Sequence, residues 1–249
     1  MLNQQTIGKL RELRLNGMAG AFELQLSTPI THSLSFEERF GLIVDQECTH
    51  RSDQRMKRLL KGAKLQLNAC VEDIDHAPGR GLDRSQMASL TTCDWVSRGL
   101  NLILSGATGT GKTWLACAFG NKACRLGKTV FFQRTPLLLE DLHLAHADGS
   151  FRKRLAQLAK FDLLILDDFG SGAITSQGRA DLLEVVDSRV NGRSIIVTSQ
   201  MPVEKWHDFL SSGNPTAADA ILDRLVSGSG RVPLSGESMR KRMKDKFGP

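Results

Sequence analysis

The sequence predicts an α/β fold: a three-layer arrangement in which a parallel sheet carries helices on both faces, preceded by a small all-helical N-terminal domain. Three observations predict it. The stretch Gly106-Ala107-Thr108-Gly109-Thr110-Gly111-Lys112-Thr113 fits the pattern G-x-x-x-x-G-K-[ST]. It lies between a short apolar run, Leu100 to Leu104, and a segment with apolar residues at helical spacing. Further on, Phe161-Asp162-Leu163-Leu164-Ile165-Leu166-Asp167-Asp168 is a second apolar run, ending in two acids. Short apolar runs alternating with helical segments suit the buried strands of a parallel sheet.

Chain-wide properties bound the answer. A chain of 249 residues holds one large α/β domain and a small appendage. It is 41% hydrophobic and 24% charged, so disorder is not the default, and its net charge of +6 admits an anionic partner. No apolar run approaches the roughly 20 residues of a membrane span, so no membrane partner is expected. The start, Met1-Leu2-Asn3-Gln4-Gln5, lacks the apolar core of a secretion signal. Cys48, Cys70, Cys93, Cys117 and Cys124 are odd in number and form no C-x-x-C pair. They read as free, buried thiols of a cytoplasmic protein rather than a disulfide or zinc framework.

Residues 1–68 read as the helical domain and 69–249 as the nucleotide domain. Ile7, Leu10, Leu13 and Leu15, then Phe22, Leu24 and Leu26, suggest a helical hairpin turned at Asn16-Gly17. Ser35-Phe36-Glu37-Glu38 is a helix start with acids in its first turn, and Phe40 to Cys48 continue that helix. From Arg51 to Lys64 there are six basic residues and one acid, Asp53. Arg51, Arg55, Arg58 and Lys61 fall along one helical stripe. They are candidate DNA contacts, a plain solvated face being the alternative.

Residues 69–99 form a connector with the turn cluster Ala77-Pro78-Gly79-Arg80-Gly81, after which Asp83-Arg84-Ser85 opens a short helical stretch ending near Arg98-Gly99. The glycine-rich loop follows. A strand, a glycine-rich turn and a helix aim several backbone N–H groups into one concavity at the positive end of a helix dipole. Gly106, Ala107, Thr108, Gly109, Thr110, Gly111, Lys112 and Thr113, with the adjoining Trp114, are therefore the candidate nucleotide-binding residues. Lys112 is expected at the β- and γ-phosphates, and the Thr113 hydroxyl on Mg²⁺.

The rest of the chain reads in the same alternation. Lys128 to Phe132 is a strand, Thr135 to Leu144 a helix, and Ser150 opens another helix carrying a second basic patch, Arg152-Lys153-Arg154. Phe161 to Asp168 fits a central strand with acids at its carboxyl end, the Walker B pattern. Asp167 is then the second Mg²⁺ ligand and Asp168 the residue that orients or deprotonates the attacking water. The spelling Asp168-Phe169-Gly170 is not a kinase signature, since no H-R-D-x-x-x-x-N precedes it. A helix from 176 to 190 follows, then the strand Ser194 to Thr198, whose polar continuation Ser199-Gln200 is a candidate γ-phosphate sensor. Helices at 206–210 and 217–226, a short strand at 231–234 and a basic tail complete the chain.

Both Walker motifs, the polar-ended strand and Asp223-Arg224-Leu225, in this order, resemble an AAA+ ATPase. The segments GATGTGKTWLA, LLILDDFG and IIVTSQMPVEKWH, behind a helical N-terminal region, are similar to the IstB-type ATP-binding helper proteins of bacterial insertion sequences. The similarity covers nearly the whole chain. It implies an ATPase using ATP and Mg²⁺ that binds double-stranded DNA, forms a homo-oligomer and assists a partner transposase in capturing target DNA. It also implies that Arg224 is an arginine finger for a neighbouring subunit's ATP, the alternative being an ion pair with Asp223, Asp219 or Asp208. Some positions depart from the family pattern. Asp168 stands where a Glu is common, and Gln200 where a sensor Asn is common. About 24 residues follow the Arg224 segment, so little or no C-terminal lid is expected and Arg240 is a weak second sensor. Other readings remain open at this point: a DnaC-like helicase loader, a nucleotide-gated DNA-binding module with negligible turnover, and a small-molecule kinase.

Overall fold

In the computed structural model the described residues are 2–28, 33–77, 79–190, 192–211 and 215–239. The N-terminal region holds α1 (Leu2–Glu12), α2 (Asn16–Ser27) and α3 (Phe36–Ala63). Two compact units divide the chain, Met1–Arg58 and Leu59–Pro249, so the division falls inside α3. From Leu59 onward the apolar side chains Leu59, Leu60, Ala63 and Leu65 belong to the core of the second unit.

In the first unit, Ser35 caps α3 reciprocally. Its Oγ accepts the Glu38 N–H at 3.2 Å, and the Glu38 carboxylate accepts the Ser35 N–H at 2.8 Å. This capping box satisfies two amides that the first helical turn leaves open. The hairpin does not turn at Asn16-Gly17, because those residues begin α2 and the reversal lies just before them. Gly17 is there for packing: a Cβ on it would lie 2.7 Å from the Gln46 carbonyl oxygen of α3. Among the described residues, the buried apolar side chains of this unit are Ile7, Ala19 and Ile43.

The second unit is built on five parallel strands: β1 (Leu102–Gly106), β2 (Val130–Arg134), β3 (Leu163–Phe169), β4 (Ser194–Ser199) and β5 (Gly230–Leu234), in the spatial order β2-β3-β4-β1-β5. Helices connect them: α4 (Arg84–Thr91) and α5 (Asp94–Ser97) before β1, and α6 (Lys112–Arg125) after it. Then come α7 (Thr135–Ala147), α8 (Phe151–Ala159), α9 (Ser176–Asp187), α10 (Trp206–Ser211) and α11 (Pro215–Val226). The helical stretch expected from Asp83 to Arg98 is broken at Cys93, which adopts a left-handed φ of 57°. Asp83 caps α4 by accepting the Gln86 N–H at 2.7 Å.

Strand residues alternate between two cores. Leu102, Leu104, Leu163, Ile165 and Ile196 face α6 with Leu115 and Phe119. Ile103, Leu164, Leu166, Ile195 and Val197 face α7 to α11, through Leu138, Leu158, Leu182, Trp206 and Ile221. Burial on both faces explains why these strands are continuous apolar runs in the sequence. Truncating one fully buried anchor such as Phe119 would cost about 3–5 kcal/mol. Cys93, Cys117 and Cys124 are buried free thiols, and burial pushes Cys124 up to about 12. Cys48 is exposed and Cys70 half-buried, unlike the expectation for all five. No described helix is long and apolar enough to cross a membrane.

Candidate nucleotide site

The carboxyl ends of β1, β3 and β4 meet at one edge of the sheet, where open parallel sheets bind ligands. Gly106 ends β1 with φ +147°, and a Cβ there would run into the Leu234 carbonyl oxygen of β5. Gly111 sits immediately before α6 with φ +97°. These are conformations that L side chains rarely adopt, so the two glycines permit the loop to fold back onto the helix start. Lys112 is only 6% exposed, and its Nζ donates to the carbonyls of Gly106 at 2.9 Å and Ala107 at 2.8 Å. Its ammonium is therefore buried within the loop rather than standing in solvent. Thr110 is buried with its hydroxyl on the Ala107 carbonyl, while Trp114, in the first turn of α6, packs partly into the core.

Thr113 and Asp167 come together as the sequence reading expected: the Thr113 hydroxyl donates to Asp167 Oδ1 at 2.9 Å. Asp167 is 2% exposed. Burial raises its pKa, against hydrogen bonds from Thr198 and Thr113 that lower it, with the charge of Asp168 adding to the rise. A buried carboxylate beside a hydroxyl and a second acid is an oxygen-donor set suited to a hard divalent cation.

Asp168 follows at a bulge. Leu166 pairs with Val197, but Phe169 pairs with Ser199, so Asp167 and Asp168 together oppose the single residue Thr198. The extra residue is Asp168, at φ 57°. A bulge re-aims a side chain at a strand end, and here two successive acids leave the strand in different directions. The Asp168 N–H donates to Thr198 Oγ1 at 3.1 Å, and the same hydroxyl donates to Asp167 Oδ1 at 2.6 Å. The Asp168 carboxylate accepts from Arg134 Nε of β2 at 3.0 Å. Sequence reading missed both Thr198 and Arg134. The polar end of β4 was the available signal, and it pointed one residue too far along the chain.

The sensor candidates separate. Ser199 is fully buried, with its hydroxyl on the Phe169 carbonyl at 2.8 Å. Gln200 touches the loop, its Oε1 accepting the Thr108 hydroxyl at 2.6 Å. Arg240 lies outside the described residues.

Arg224 is at the far end of the sheet. Its carbonyl accepts from Asn101, the residue before β1, at 2.8 Å. The five residues of β1 separate that end from the loop, about 16 Å of strand. The Arg224 side chain pairs with Asp187 of α9 at 2.5 Å and donates to the Ala220 carbonyl at 2.9 Å. The partner is thus none of the acids near it in sequence, because α11 packs against α9.

Of the basic residues, Arg51, Arg55, Arg58 and Lys61 are all exposed on α3. Arg51 pairs with Glu47 at 2.7 Å. In the second patch Arg152 and Lys153 are exposed. Arg154 turns inward over the Phe131 ring and onto the Gln133 side chain at 3.2 Å.

This loop, the strand-end acid facing it and the strand order define a P-loop NTPase fold of the AAA+ class. Within it the chain belongs to the family of IstB-like ATP binding proteins, whose profile matches residues 8–247. It is 52% identical over 203 residues to a Pseudomonas fluorescens protein named for ATP binding and for insertion sequence IS1162, covering 81% of this chain and 88% of that one. It is 44% identical to the insertion-sequence ATP-binding protein y4pL of Sinorhizobium fredii, over 99% of this chain and 100% of the relative. Among solved structures, the DnaC helicase loader matches with a TM-score of 0.55 at 23% identity, covering 70% of this chain and 100% of the loader. That likeness is one of fold.

Proposed function

We propose that the chain is an ATP-hydrolysing, DNA-binding helper of an insertion sequence that oligomerises on double-stranded DNA and assists a partner transposase in capturing its target. The observation that carries this is the junction of Thr113, Asp167, Asp168 and Thr198 at the phosphate loop, in a chain of this family. Thr113 and Asp167 would hold Mg²⁺, which neutralises phosphate charge when bound. Lys112 and the loop amides bind and orient the phosphates. Asp168 takes the proton of the attacking water or holds that water in line. Thr198 keeps the two acids apart by bonding to both. Arg224, turned away from its own loop, serves the ATP of a neighbouring copy, which ties hydrolysis to assembly. Residues 1–68 supply DNA and oligomer contacts, with Arg51, Arg55, Arg58 and Lys61 on DNA phosphates, and Arg152 and Lys153 form a second such patch. Cytoplasmic action follows from this role.

The test is Asp168→Asn. Mg²⁺ and ATP should still bind, turnover should stop, and DNA and the transposase should be retained in pull-downs while ATP is present. Parent-rate hydrolysis by this variant would remove the role given to Asp168.

The Arg134 ion pair favours a second reading, a nucleotide-gated DNA-binding module with very slow turnover, because it ties the Asp168 carboxylate to β2 at 3.0 Å and so occupies the group that would meet the water. Arg134→Gln separates the two. A rise in basal hydrolysis supports a restrained ATPase, and an unchanged near-zero rate supports the gated module.

A further inference from the structure

Two segments without any nucleotide-binding motif press on the outside of the phosphate loop. One is the connector turn ending in Arg80. Its Nη2 donates to the Thr110 carbonyl at 3.2 Å, and its Nη1 to the Asp75 carbonyl at 3.0 Å, with the Asp75 carboxylate at 3.4 Å. The Arg80 side chain is 12% exposed, and a Cβ on Gly111 would lie 3.1 Å from its Nη2. The other is the stretch after β5, where the Met239 N–H donates to the Gly109 carbonyl at 2.9 Å and Ser238 occupies the space a Gly109 side chain would need. The two segments are also joined to each other. The Ser235 N–H donates to the Arg80 carbonyl at 3.0 Å, and the Ser235 hydroxyl to the Gly79 carbonyl at 2.7 Å.

A loop with three glycines has much conformational freedom to lose when it closes on phosphate. Contacts that hold it in shape beforehand lower that cost and raise affinity without touching the ligand. The carbonyls bonded here belong to Gly109 and Thr110, inside the loop itself, so the contacts act on the backbone that carries the binding amides. We propose that Arg80 is a positioning residue for the nucleotide site, the centre of a brace in which the connector and the post-β5 segment hold the phosphate loop in its binding conformation. This rests on the loop being a nucleotide site. Arg80 acts on the loop and not on the base, so its effect is the same for any ligand carrying the phosphates.

Nucleotide binding to the full-length parent is measured first, by fluorescence titration with N-methylanthraniloyl-ADP and competition with inorganic tripolyphosphate. No binding by the parent would remove the nucleotide reading itself. Arg80→Gln is then expected to weaken both ligands by the same factor, roughly tenfold, the scale for losing a charge-assisted hydrogen bond. Hydrogen exchange of the nucleotide-free variant should quicken over residues 106–113 and stay unchanged in β3 and β4. Met239→Pro deletes the N–H on the other arm and should weaken both ligands in the same direction. A parent that binds beside an Arg80→Gln variant with unchanged affinity overturns the brace alone. So does exchange that quickens throughout the sheet, which would make Arg80 merely structural, and so does a loss confined to the ADP probe.

Discussion

The Thr198 hydroxyl donates to Asp167 at 2.6 Å and accepts the backbone N–H of Asp168 at 3.1 Å, so one side chain holds both acids at the end of β3. Thr198→Val keeps the shape and removes the hydroxyl. Hydrolysis should fall by about tenfold or more, since an acid held by fewer bonds is less well aimed. ATP affinity, set mainly by the loop, should stay within about threefold. Equilibrium titration beside steady-state turnover checks the split. Equal losses in both would mean that Thr198 shapes the loop rather than the acids.

Asp167→Asn should stabilise the nucleotide-free protein at neutral pH while abolishing Mg²⁺-dependent hydrolysis. Burial raises the Asp167 pKa above its ordinary 3.8. A raised folded-state pKa means that the fold is favoured while the group is protonated, below the unfolded value, and that this favour is lost as pH rises through the folded value. At pH 7 the ionised form is therefore a burden that Asn removes. Thermal melts should place the variant above the parent at pH 7, with the gap closing as pH falls toward 4. A variant that melts lower at pH 7 would contradict the burial argument.

On the proposed function, DNA binding should be insensitive to sequence and steeply dependent on salt, because the Arg and Lys side chains exposed on α3 would meet phosphates rather than base edges. Replacing Arg55, Arg58 and Lys61 together with Gln removes three such contacts. The slope of log K against log salt should shrink in magnitude by about 2.7 on B-form DNA. A slope equal to the parent's would assign the stripe to solvation.

Arg224 cannot serve its own loop, so two inactive variants should complement each other. Arg224→Ala and Lys112→Ala are each expected to lose ATPase, and a mixture should regain part of it where an intact loop meets an intact finger. Lys112 is buried, so melting and assembly of both variants are verified beforehand. If the assembled mixture stays inactive at every ratio, Arg224 is only the partner of Asp187.

Much of the candidate nucleotide site's local geometry was legible in the sequence because its parts are local. The bend at Gly106 and Gly111, the helix start at Lys112 and the acid-ended strand each arise from a few consecutive residues. Element types were read correctly along the second unit for the same reason, since strands buried on both faces announce themselves as apolar runs. Gly17 misled because a glycine required for helix-to-helix contact looks like a turn glycine until the facing helix is known.

By itself, then, the sequence determined the phosphate loop, the pair of acids and the alternation that yields a parallel sheet. Only the tertiary structure decided what stands beside them. The strand order puts β4 between β1 and β3, and a bulge sets Thr198 against two acids at once. The neighbouring register brings Arg134 opposite Asp167, within reach of Asp168, and the packing of α11 on α9 gives Arg224 to Asp187. Each of these pairs joins residues about 30 or more positions apart. Local propensity and periodicity do not encode such pairings, because lateral register depends on how whole faces fit together.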